Sequence, residues 1–329
     1  MFELAELEKA TELVHAIMPP TPQYAWPLLA ARTGCEVWVK HENHTPTGAF
    51  KVRGGLIYLD GYKRRQPHGT GLMSATRGNH GQSLAFASRR LGVPLTIVVP
   101  HGNSREKNAA MRAFGAELLE IGRDFDMARD AAERLAVERG LEMVPSFHSD
   151  LVKGVATYAL ELFRAARDLD TVYVPIGMGS GIVGLIRTRD LLKLKTRIVG
   201  VVSTQAPAFA LSFKAAKVVT TPTADTFADG VACRVPPVDA VRLVCEGADR
   251  IVSVSEEEIA EAMRAYFADT HNTAEGAGAA GLAALLQEAA QLRGKRVGVI
   301  LSGGNIDMPM FASILGGGSV QQARLAAAG

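Results

Sequence analysis

Short apolar runs alternate with amphipathic or alanine-rich stretches along most of the chain. The runs are rich in β-branched residues, as buried strands are, whereas apolar positions in the longer stretches recur with helical spacing. The predicted strands are Glu36–Lys40, Gly71–Ser74, Leu95–Val99, Glu117–Ile121, Thr171–Pro175, Ile198–Val202, Arg250–Val254 and Val297–Leu301. The predicted helices include Gly81–Leu91, Ser104–Phe114, Asp124–Arg139, Lys153–Ala166, Gly181–Leu192, Ser255–Ala268 and Gly278–Leu292. This alternation predicts an α/β fold with right-handed crossovers and parallel strands.

The same pattern predicts two domains. The stretch from Thr70 to Val144 is a compact alternation of strands and helices, and the irregular segment Pro145–Asp150 that follows it is typical of a hinge. We therefore expect a small domain at residues 70–147, inserted into a large domain made of residues 1–69 and 148–329. The tail from Gly316 onward, which begins with three glycines, is predicted to be loose.

Composition narrows the classes of function. The chain has 329 residues, 47% of them hydrophobic, and a net charge of 36 − 34 = +2. Such a chain is globular, and it lacks the charge excess that drives binding to nucleic acid or to a membrane surface. Apolar runs such as Pro94–Pro100 are far shorter than the about 18 residues of a membrane span. We therefore expect a small-molecule substrate, with no nucleic acid and no membrane.

Cysteine usage and the N-terminus indicate the compartment. The three cysteines, Cys35, Cys233 and Cys245, are odd in number and widely spaced, which fits neither a disulfide framework nor a zinc site. The N-terminal residues carry acids and lack the basic and apolar regions of a signal peptide. The chain is therefore expected to be cytoplasmic.

Four loops follow predicted strands, where α/β folds bind their ligands. In the first, Lys51 comes at the predicted start of a helix. The positive end of the helix dipole lowers the pKa of a lysine there, and a neutral amine reacts with aldehydes. An exposed lysine is the more common alternative for this loop taken alone.

The second loop, Ser74 to Gln82, runs from a strand through a polar turn into a helix. Its backbone N–H groups and side chains suit a carboxylate, although ordinary capping of the helix explains part of the pattern. The third, Gly177 to Gly184, is a glycine-rich turn of the kind that cradles phosphate. No acid follows the next strand, where Ser203 begins a polar run, so a dinucleotide is disfavoured. The fourth loop places Ser302 before two glycines at a strand end, which alone is typical of a simple turn.

In this order and spacing, the four loops resemble the fold type II family of pyridoxal-phosphate enzymes, and within it the branch of threonine/serine dehydratases and serine racemase. The resemblance runs from about Pro20 to Asp307, most of the chain. It implies pyridoxal 5'-phosphate as cofactor. It also implies the tryptophan synthase β-like architecture, with two open, twisted, mostly parallel sheets flanked by helices.

The resemblance assigns roles to individual residues. Lys51 matches the lysine that bonds covalently to the cofactor, Asn79 the partner of its ring hydroxyl, and Ser302 the partner of its pyridine nitrogen. The other implied cofactor contacts are Phe50, Gly177, Met178, Gly179, Ser180, Gly181, Gly230 and Glu275. The implied substrate contacts are Thr76, Arg77, Gly78, Asn79, His80 and Cys233.

The implied reaction is removal of water from a 3-hydroxy L-amino acid of the threonine or serine type, giving a 2-oxo acid and ammonia. Lys51 is then the general base for the α-proton. A serine beside the ring nitrogen need not keep it protonated, which weakens the electron sink and favours elimination over transamination. Two alternatives stay open: a β-replacement synthase on the same fold, and a module that binds a phosphate ligand through the glycine loop alone.

Departures from the family pattern narrow the expectation. Arg77 stands where serine racemase has a second serine, and arginine is a poor proton shuttle, so little racemisation is expected. Val202 and Ala208 replace the acidic residues of the metal-dependent branch, so no metal site is expected there and activity should survive chelation. Only about 20 residues follow Asp307, so no C-terminal regulatory domain is expected.

The segment after Val144 bears on the pocket for the substrate side chain. Phe147 and His148 depart from the family's usual sequence, and with Phe50 and Cys233 they are expected to line this pocket. A bulkier substrate such as L-threo-3-phenylserine is therefore an alternative to threonine and serine. A homodimer or a higher homo-oligomer is expected from the frequency of such assemblies.

Overall fold

A computed structural model describes residues 1–123 and 125–328 of the chain. Its strands are β1 (Gln23–Ala25), β2 (Glu36–His41), β3 (Leu72–Ala75), β4 (Leu95–Val99), β5 (Glu117–Glu120), β6 (Glu142–Met143), β7 (Thr171–Pro175), β8 (Arg197–Ser203), β9 (Arg250–Val254) and β10 (Arg296–Leu301). Its helices are α1 (Leu4–His15), α2 (Pro27–Thr33), α3 (Lys51–Arg65), α4 (Asn79–Leu91), α5 (Arg105–Ala113), α6 (Phe125–Arg139), α7 (Ser149–Ala165), α8 (Ser180–Leu191), α9 (Ala208–Ala215), α10 (Val238–Gly247), α11 (Glu256–Thr270), α12 (Gly276–Glu288), α13 (Met308–Leu315) and α14 (Val320–Ala328).

The larger sheet has six strands in the order β1-β2-β10-β7-β8-β9. All its neighbours are parallel except β1, which runs antiparallel to β2. The last strand of the chain, β10, lies between β2 and β7, so the carboxyl ends of three strands from distant parts of the sequence meet. Helices α7, α8 and α10 pack on one face and α11 and α12 on the other. Burial on both faces explains the continuous apolar runs of these strands.

The smaller sheet has four parallel strands in the order β5-β4-β3-β6, all of them within residues 70–147. Helix α3, which precedes this range, contributes Leu56 to the apolar cluster that contains Leu72 and Leu84. The α/β class and the two mostly parallel sheets are confirmed. The domain boundaries remain a prediction.

All eight predicted strands are present, and their ends differ from the prediction by at most one residue. The pattern missed β1 and β6, which are too short to show a periodicity. The predicted start of α6 at Asp124 lies outside the described residues. Helix α7 begins at Ser149, earlier than predicted, because the His148 side chain accepts a hydrogen bond from the backbone N–H of Asp150.

The prediction of a loose C-terminal tail was wrong, because α14 forms there. The backbone N–H of Ser319 donates to the Gln322 side chain, and Ser319 Oγ accepts from the N–H of Gln322. This reciprocal pairing is a capping box, a helix-start pattern that the prediction overlooked. Val320 and Ala323 are buried against the large core, so tertiary packing stabilises the helix.

Within residues 1–123 and 125–328, no helix combines the length and the apolar character that crossing a bilayer requires.

Candidate functional site

The four loops singled out in the sequence meet at one cavity of about 290 Å³. Three of them follow β2, β10 and β7, which are neighbours in the larger sheet, and the fourth follows β3 of the smaller sheet. Because parallel strands end at the same edge of a sheet, their loops converge there. The cavity is lined by all the cofactor and substrate contacts that the resemblance implied, namely Phe50, Lys51, Thr76, Arg77, Gly78, Asn79, His80, Gly177, Met178, Gly179, Ser180, Gly181, Gly230, Cys233, Glu275 and Ser302.

The loops after β2 and β10 are tied together by their backbones. The N–H of Phe50 donates to the Ser302 carbonyl at 3.0 Å, and the N–H of Gly304 donates to the Gly48 carbonyl at 2.9 Å. These bonds place Lys51 close to Ser302, although the two residues are far apart in sequence. The Ser302 side chain is buried at the end of β10.

Lys51 is the first residue of α3, as predicted. Its side chain faces the cavity, with Nζ 3.5 Å from Ser180 Oγ and 4.8 Å from the centre of the Phe50 ring. Burial lowers the pKa of the Lys51 amine to about 8, while the Glu275 carboxylate works in the opposite direction. The predicted direction of the pKa shift is confirmed, and its largest cause is burial. With this pKa, roughly one amine in ten is neutral at pH 7, and the neutral amine is the nucleophile.

The glycine-rich loop after β7 leads directly into α8. Gly179 precedes the helix with φ of +97°, a conformation that favours glycine, and Ser180 begins the helix. A Cβ on Gly177 would lie only 2.2 Å from the carbonyl oxygen of Gly230. The backbone therefore leaves the first N–H groups of α8 open to the cavity, where they suit an anion.

The loop after β3 supplies polar groups from the smaller sheet. Thr76 Oγ1 accepts a hydrogen bond from the N–H of Gly78 at 3.1 Å. Asn79 Nδ2 donates to Glu275 Oε1 at 2.6 Å, and Asn79 Oδ1 accepts from Asn305 Nδ2 at 2.8 Å. Asn79 is therefore held from two sides, which orients its amide toward the cavity.

His80, which is half-buried, and Glu275, which is buried, are ionisable groups beside Lys51. Burial, and then the charge of Lys51, lower the pKa of His80 to about 3, so its ring is neutral. His80 Nε2 is buried and has no hydrogen-bond partner among the described residues. Burial also raises the pKa of the Glu275 carboxyl above its ordinary value. Such shifts are typical of functional sites.

Several charged residues of the cavity were missed in the sequence. Lys107 is one, and Asp229, just before Gly230, is another. The parallel pairing of β4 with β3 brings the loop before α5 to the same edge as loop 76–80, and the Ala-Asp-Gly motif already contained Asp229. The outer wall adds residues from the first turns of α6 and from the segment before α10, namely Phe125, Asp126, Arg129, Ala224, Arg234 and Val235.

The predicted pocket lining needs one correction. Cys233 lies in the cavity wall, but Phe147 and His148 do not. Phe147 packs behind the glycine loop, where a Cβ on Gly179 would lie 3.8 Å from its ring. The His148 ring packs against Tyr58 at 5.2 Å between centroids. Burial raises the pKa of the Cys233 thiol to about 12, so it stays protonated.

The residues present fit pyridoxal phosphate. They offer the Lys51 amine for an aldehyde, the N–H groups at the start of α8 for a phosphate, and the Ser302 hydroxyl for a ring nitrogen. The absence of a Cβ at Gly177 lets the glycine loop lie close to the Gly230 carbonyl, which an added Cβ would meet at 2.2 Å. Among the residues that the structure describes, no group of three or more His, Cys, Asp or Glu side chains is arranged to hold a metal ion.

Comparison with known proteins is consistent with this geometry. The sequence profile of the family described as pyridoxal-phosphate dependent enzyme matches residues 16–303. The chain is 36% identical over 318 residues to the L-threonine ammonia-lyase of Geobacter sulfurreducens, covering 96% of this chain and 76% of that protein. It is 33% identical over 310 residues to an L-threo-3-hydroxyaspartate ammonia-lyase of Pseudomonas sp, and this match covers 94% of this chain and 97% of that protein. The structure of maize serine racemase superposes with a TM-score of 0.87 at 26% sequence identity, and the superposition covers 93% of this chain and 94% of that chain.

Proposed function

Because the chain belongs to the pyridoxal-phosphate dependent enzyme family, we propose that it removes water from a 3-hydroxy L-amino acid of the threonine or serine type. The products are a 2-oxo acid and ammonia. The chain is an ammonia-lyase that uses pyridoxal 5'-phosphate. The observation that carries the substrate proposal is the meeting of Lys51, the glycine loop, loop 76–80 and Ser302 around one cavity.

Each group then has a task in the proposed reaction. Pyridoxal phosphate, when bound, delocalises the electron pair left at the substrate α-carbon. Lys51, with its lowered pKa, takes the α-proton as general base. The N–H groups and side chains of loop 76–80 bind the substrate carboxylate. Ser302 is a neutral partner for the ring nitrogen, which favours rapid loss of the 3-hydroxyl group over a long-lived carbanion.

A substrate panel tests this function. The purified holoenzyme is given L-serine, L-threonine, L-threo-3-phenylserine and L-threo-3-hydroxyaspartate, without added nucleophile and with a chelator present. We expect 2-oxo acid and ammonia in equal amounts, with the highest kcat/KM for threonine or serine. Product that forms only after a nucleophile is added would instead identify a β-replacement synthase, and strict dependence on Mg²⁺ would contradict the absence of a metal site.

A bulkier substrate is a second candidate, and the outer wall of the cavity favours it. Three residues of this wall, Phe125, Ala224 and Val235, are apolar, and Val235 is exposed. Contact with an apolar substituent would remove the apolar surface of these residues from water. Such burial contributes about 25 cal/mol of favourable free energy per Å². In the same panel, a kcat/KM for phenylserine above that for threonine would establish this candidate.

Arg77 is expected to keep racemisation slow. Its Nε lies 3.7 Å from Asp229 Oδ1, and a guanidinium is a poor proton shuttle. We expect chiral chromatography to detect D-amino acid at no more than about 1% of the 2-oxo acid formed, since a positioned proton donor contributes about 10²–10⁴ to a rate. Arg77→Ser is expected to raise that share. D-amino acid that forms as fast as 2-oxo acid in the unmodified enzyme would contradict the proposed role.

Loading of the cofactor is expected to accelerate as the pH rises. The pKa of Lys51 is lowered to about 8, so its reactive neutral form grows as the pH increases through that value. The rate at which the bound-cofactor absorbance appears after mixing apoenzyme with pyridoxal phosphate measures this. The Glu275 carboxylate raises the pKa of Lys51. In Glu275→Gln, the pH at which the loading rate is half-maximal is therefore expected to be lower. A loading rate that falls across this range would refute the assignment.

We also propose that the enzyme is a homodimer, because two-fold assemblies are the commonest among oligomeric proteins. Light scattering on the purified holoenzyme tests this. A mass equal to one chain would contradict it.

A further inference from the structure

An ion-pair network crosses the cavity between elements of the two sheets. Lys107 Nζ, on α5, lies 3.3 Å from Asp229 Oδ2 and 3.7 Å from Glu275 Oε2. Arg77 Nε lies 3.7 Å from the other oxygen of Asp229. The network thus joins two cations to two carboxylates, and its formal charges balance. The reaction proposed above leaves Lys107 without a task.

Lys107 reaches this network because Gly78 has no side chain. A Cβ on Gly78 would lie 2.5 Å from Cδ of Lys107, so the stem of the lysine passes directly over loop 76–80. Only 10% of the Lys107 side chain is exposed. A lysine that is buried to this extent stays charged only when carboxylates pair with it, and Asp229 and Glu275 do so.

The network continues from Glu275 into the site. The second carboxylate oxygen, Oε1, accepts from Asn79 Nδ2 at 2.6 Å. Asn305 Nδ2 donates to Asn79 Oδ1 and also to the carbonyl of Thr47, each at 2.8 Å. Thr47 lies in the loop that leads to Lys51. A change at Lys107 is therefore passed through hydrogen bonds to the groups that hold the cofactor and the substrate.

We propose that Lys107 is a positioning residue that keeps Glu275 and Asn79 in the geometry the lyase requires, an inference that rests on the proposed function. With Lys107 gone, Glu275 and Asp229 would share a largely buried space with Arg77, which is 44% exposed. Glu275 would then bind a proton more readily. A neutral carboxyl is a weaker acceptor than a carboxylate, which weakens the hydrogen bond that Asn79 Nδ2 donates to Glu275 Oε1.

The charges around Lys107 and Glu275 determine in which direction each variant should shift the pKa of Glu275. Burial opposes the charge of Lys107, but Asp229, Glu275 and Asp307 outweigh burial and raise its pKa. Burial raises the pKa of Glu275, Lys107 lowers it, and Asp229 raises it further. Lys51 faces Glu275 across the cavity. Removal of Lys107 should therefore raise the pKa of Glu275, and removal of the Asp229 charge should lower it.

The test is a pH titration of the visible absorbance of the bound cofactor, recorded on the holoenzyme together with kcat and KM. Lys107→Met is expected to move the midpoint assigned to Glu275 to higher pH and to lower kcat about tenfold, the factor that one lost charged hydrogen bond is worth. Lys107→Arg keeps a cation and should retain most of the activity. Lys295→Met, which removes a lysine paired with Asp170 outside the cavity, is the matched control and should leave both readouts unchanged.

Two further variants keep the test decisive. Glu275→Gln should abolish the titration, which verifies its assignment. Asp229→Asn should move the midpoint assigned to Glu275 to lower pH, in the direction opposite to Lys107→Met. This variant tests whether the network controls the ionisation of Glu275 even if Lys107→Met does not fold. Wild-type titration curves in Lys107→Met or in Asp229→Asn would overturn the proposal. If the unmodified enzyme forms no 2-oxo acid, the proposed function fails while the absorbance titration still decides the role of Lys107.

Discussion

Replacing Lys51 with alanine is expected to lower kcat for 2-oxo acid formation by about 10³-fold or more, because one side chain supplies both the cofactor linkage and the general base. Its position supports both tasks: Nζ lies within the cavity, 3.5 Å from Ser180 Oγ at the start of α8. Burial lowers its pKa to about 8, so a neutral amine is available without a separate base.

The measurement combines kinetics with covalent trapping. Borohydride reduction of the holoenzyme, followed by peptide mass spectrometry, should place the cofactor on Lys51 in the unmodified enzyme and nowhere in Lys51→Ala. Lys295→Ala, which changes a lysine at a surface ion pair, is the control and should retain full activity. A colourless unmodified protein, or a label on another lysine, would contradict the assignment.

Replacing Arg53 with methionine is expected to lower the free energy of unfolding by about 3–5 kcal/mol, the cost of breaking a buried ion pair. The Arg53 side chain is fully buried, with Nε 2.7 Å from Glu42 Oε2 and Nη1 2.6 Å from Glu161 Oε1. Lys40, also buried, lies 2.6 Å from Glu161 Oε2. Methionine would leave these two carboxylates with only one buried cation.

Denaturant unfolding of the apoenzyme measures this loss. The control is Arg164→Met, which removes an exposed pair with Glu8 and should cost at most about 1 kcal/mol. Similar losses in the two variants would contradict the expected role of the buried cluster.

The same cluster predicts a dependence of stability on pH. Burial alone would raise the pKa of Glu161, but Arg53 and Lys40 outweigh it and lower the pKa to about 2. A carboxyl with a lowered native pKa stabilises the fold above its unfolded pKa, and this stabilisation is lost as the pH falls toward the native value. The unfolding free energy should therefore decrease as the pH falls from about 4.5 to about 2, and less steeply in Arg53→Met.

Much of the fold was predictable because its strands are buried on both faces. A run such as Leu95–Val99, apolar except for Thr96, can be recognised without knowledge of the neighbouring strand, and it formed β4 with the predicted bounds. The short edge strand β1 was missed because three residues carry no period. Helix α14 was missed because three glycines precede it, although the Ser319–Gln322 capping pattern marks its start.

The candidate site was likewise predictable only in part. Loops with glycine, lysine or a strand-end serine can be recognised in the sequence, since only a few residue types fit the backbone conformation of such loops. The outer wall was not visible. Phe147 and His148 were expected to line the side-chain pocket because they depart from the family's usual sequence, but the cavity wall contains Phe125 and Val235 instead. Packing between distant elements chose these residues, and no local pattern records such packing.

The sequence by itself determined the α/β class, the four loops and their chemical types, because strand burial and glycine-rich turns depend on neighbouring residues. Only the tertiary structure decided which loops meet. The insertion of β10 between β2 and β7 brought Ser302 to Lys51. The approach of the two sheets brought Lys107 to Asp229 and Glu275. These contacts join residues far apart in the chain, and their energies depend on burial and charge balance, which exist only once the chain has folded.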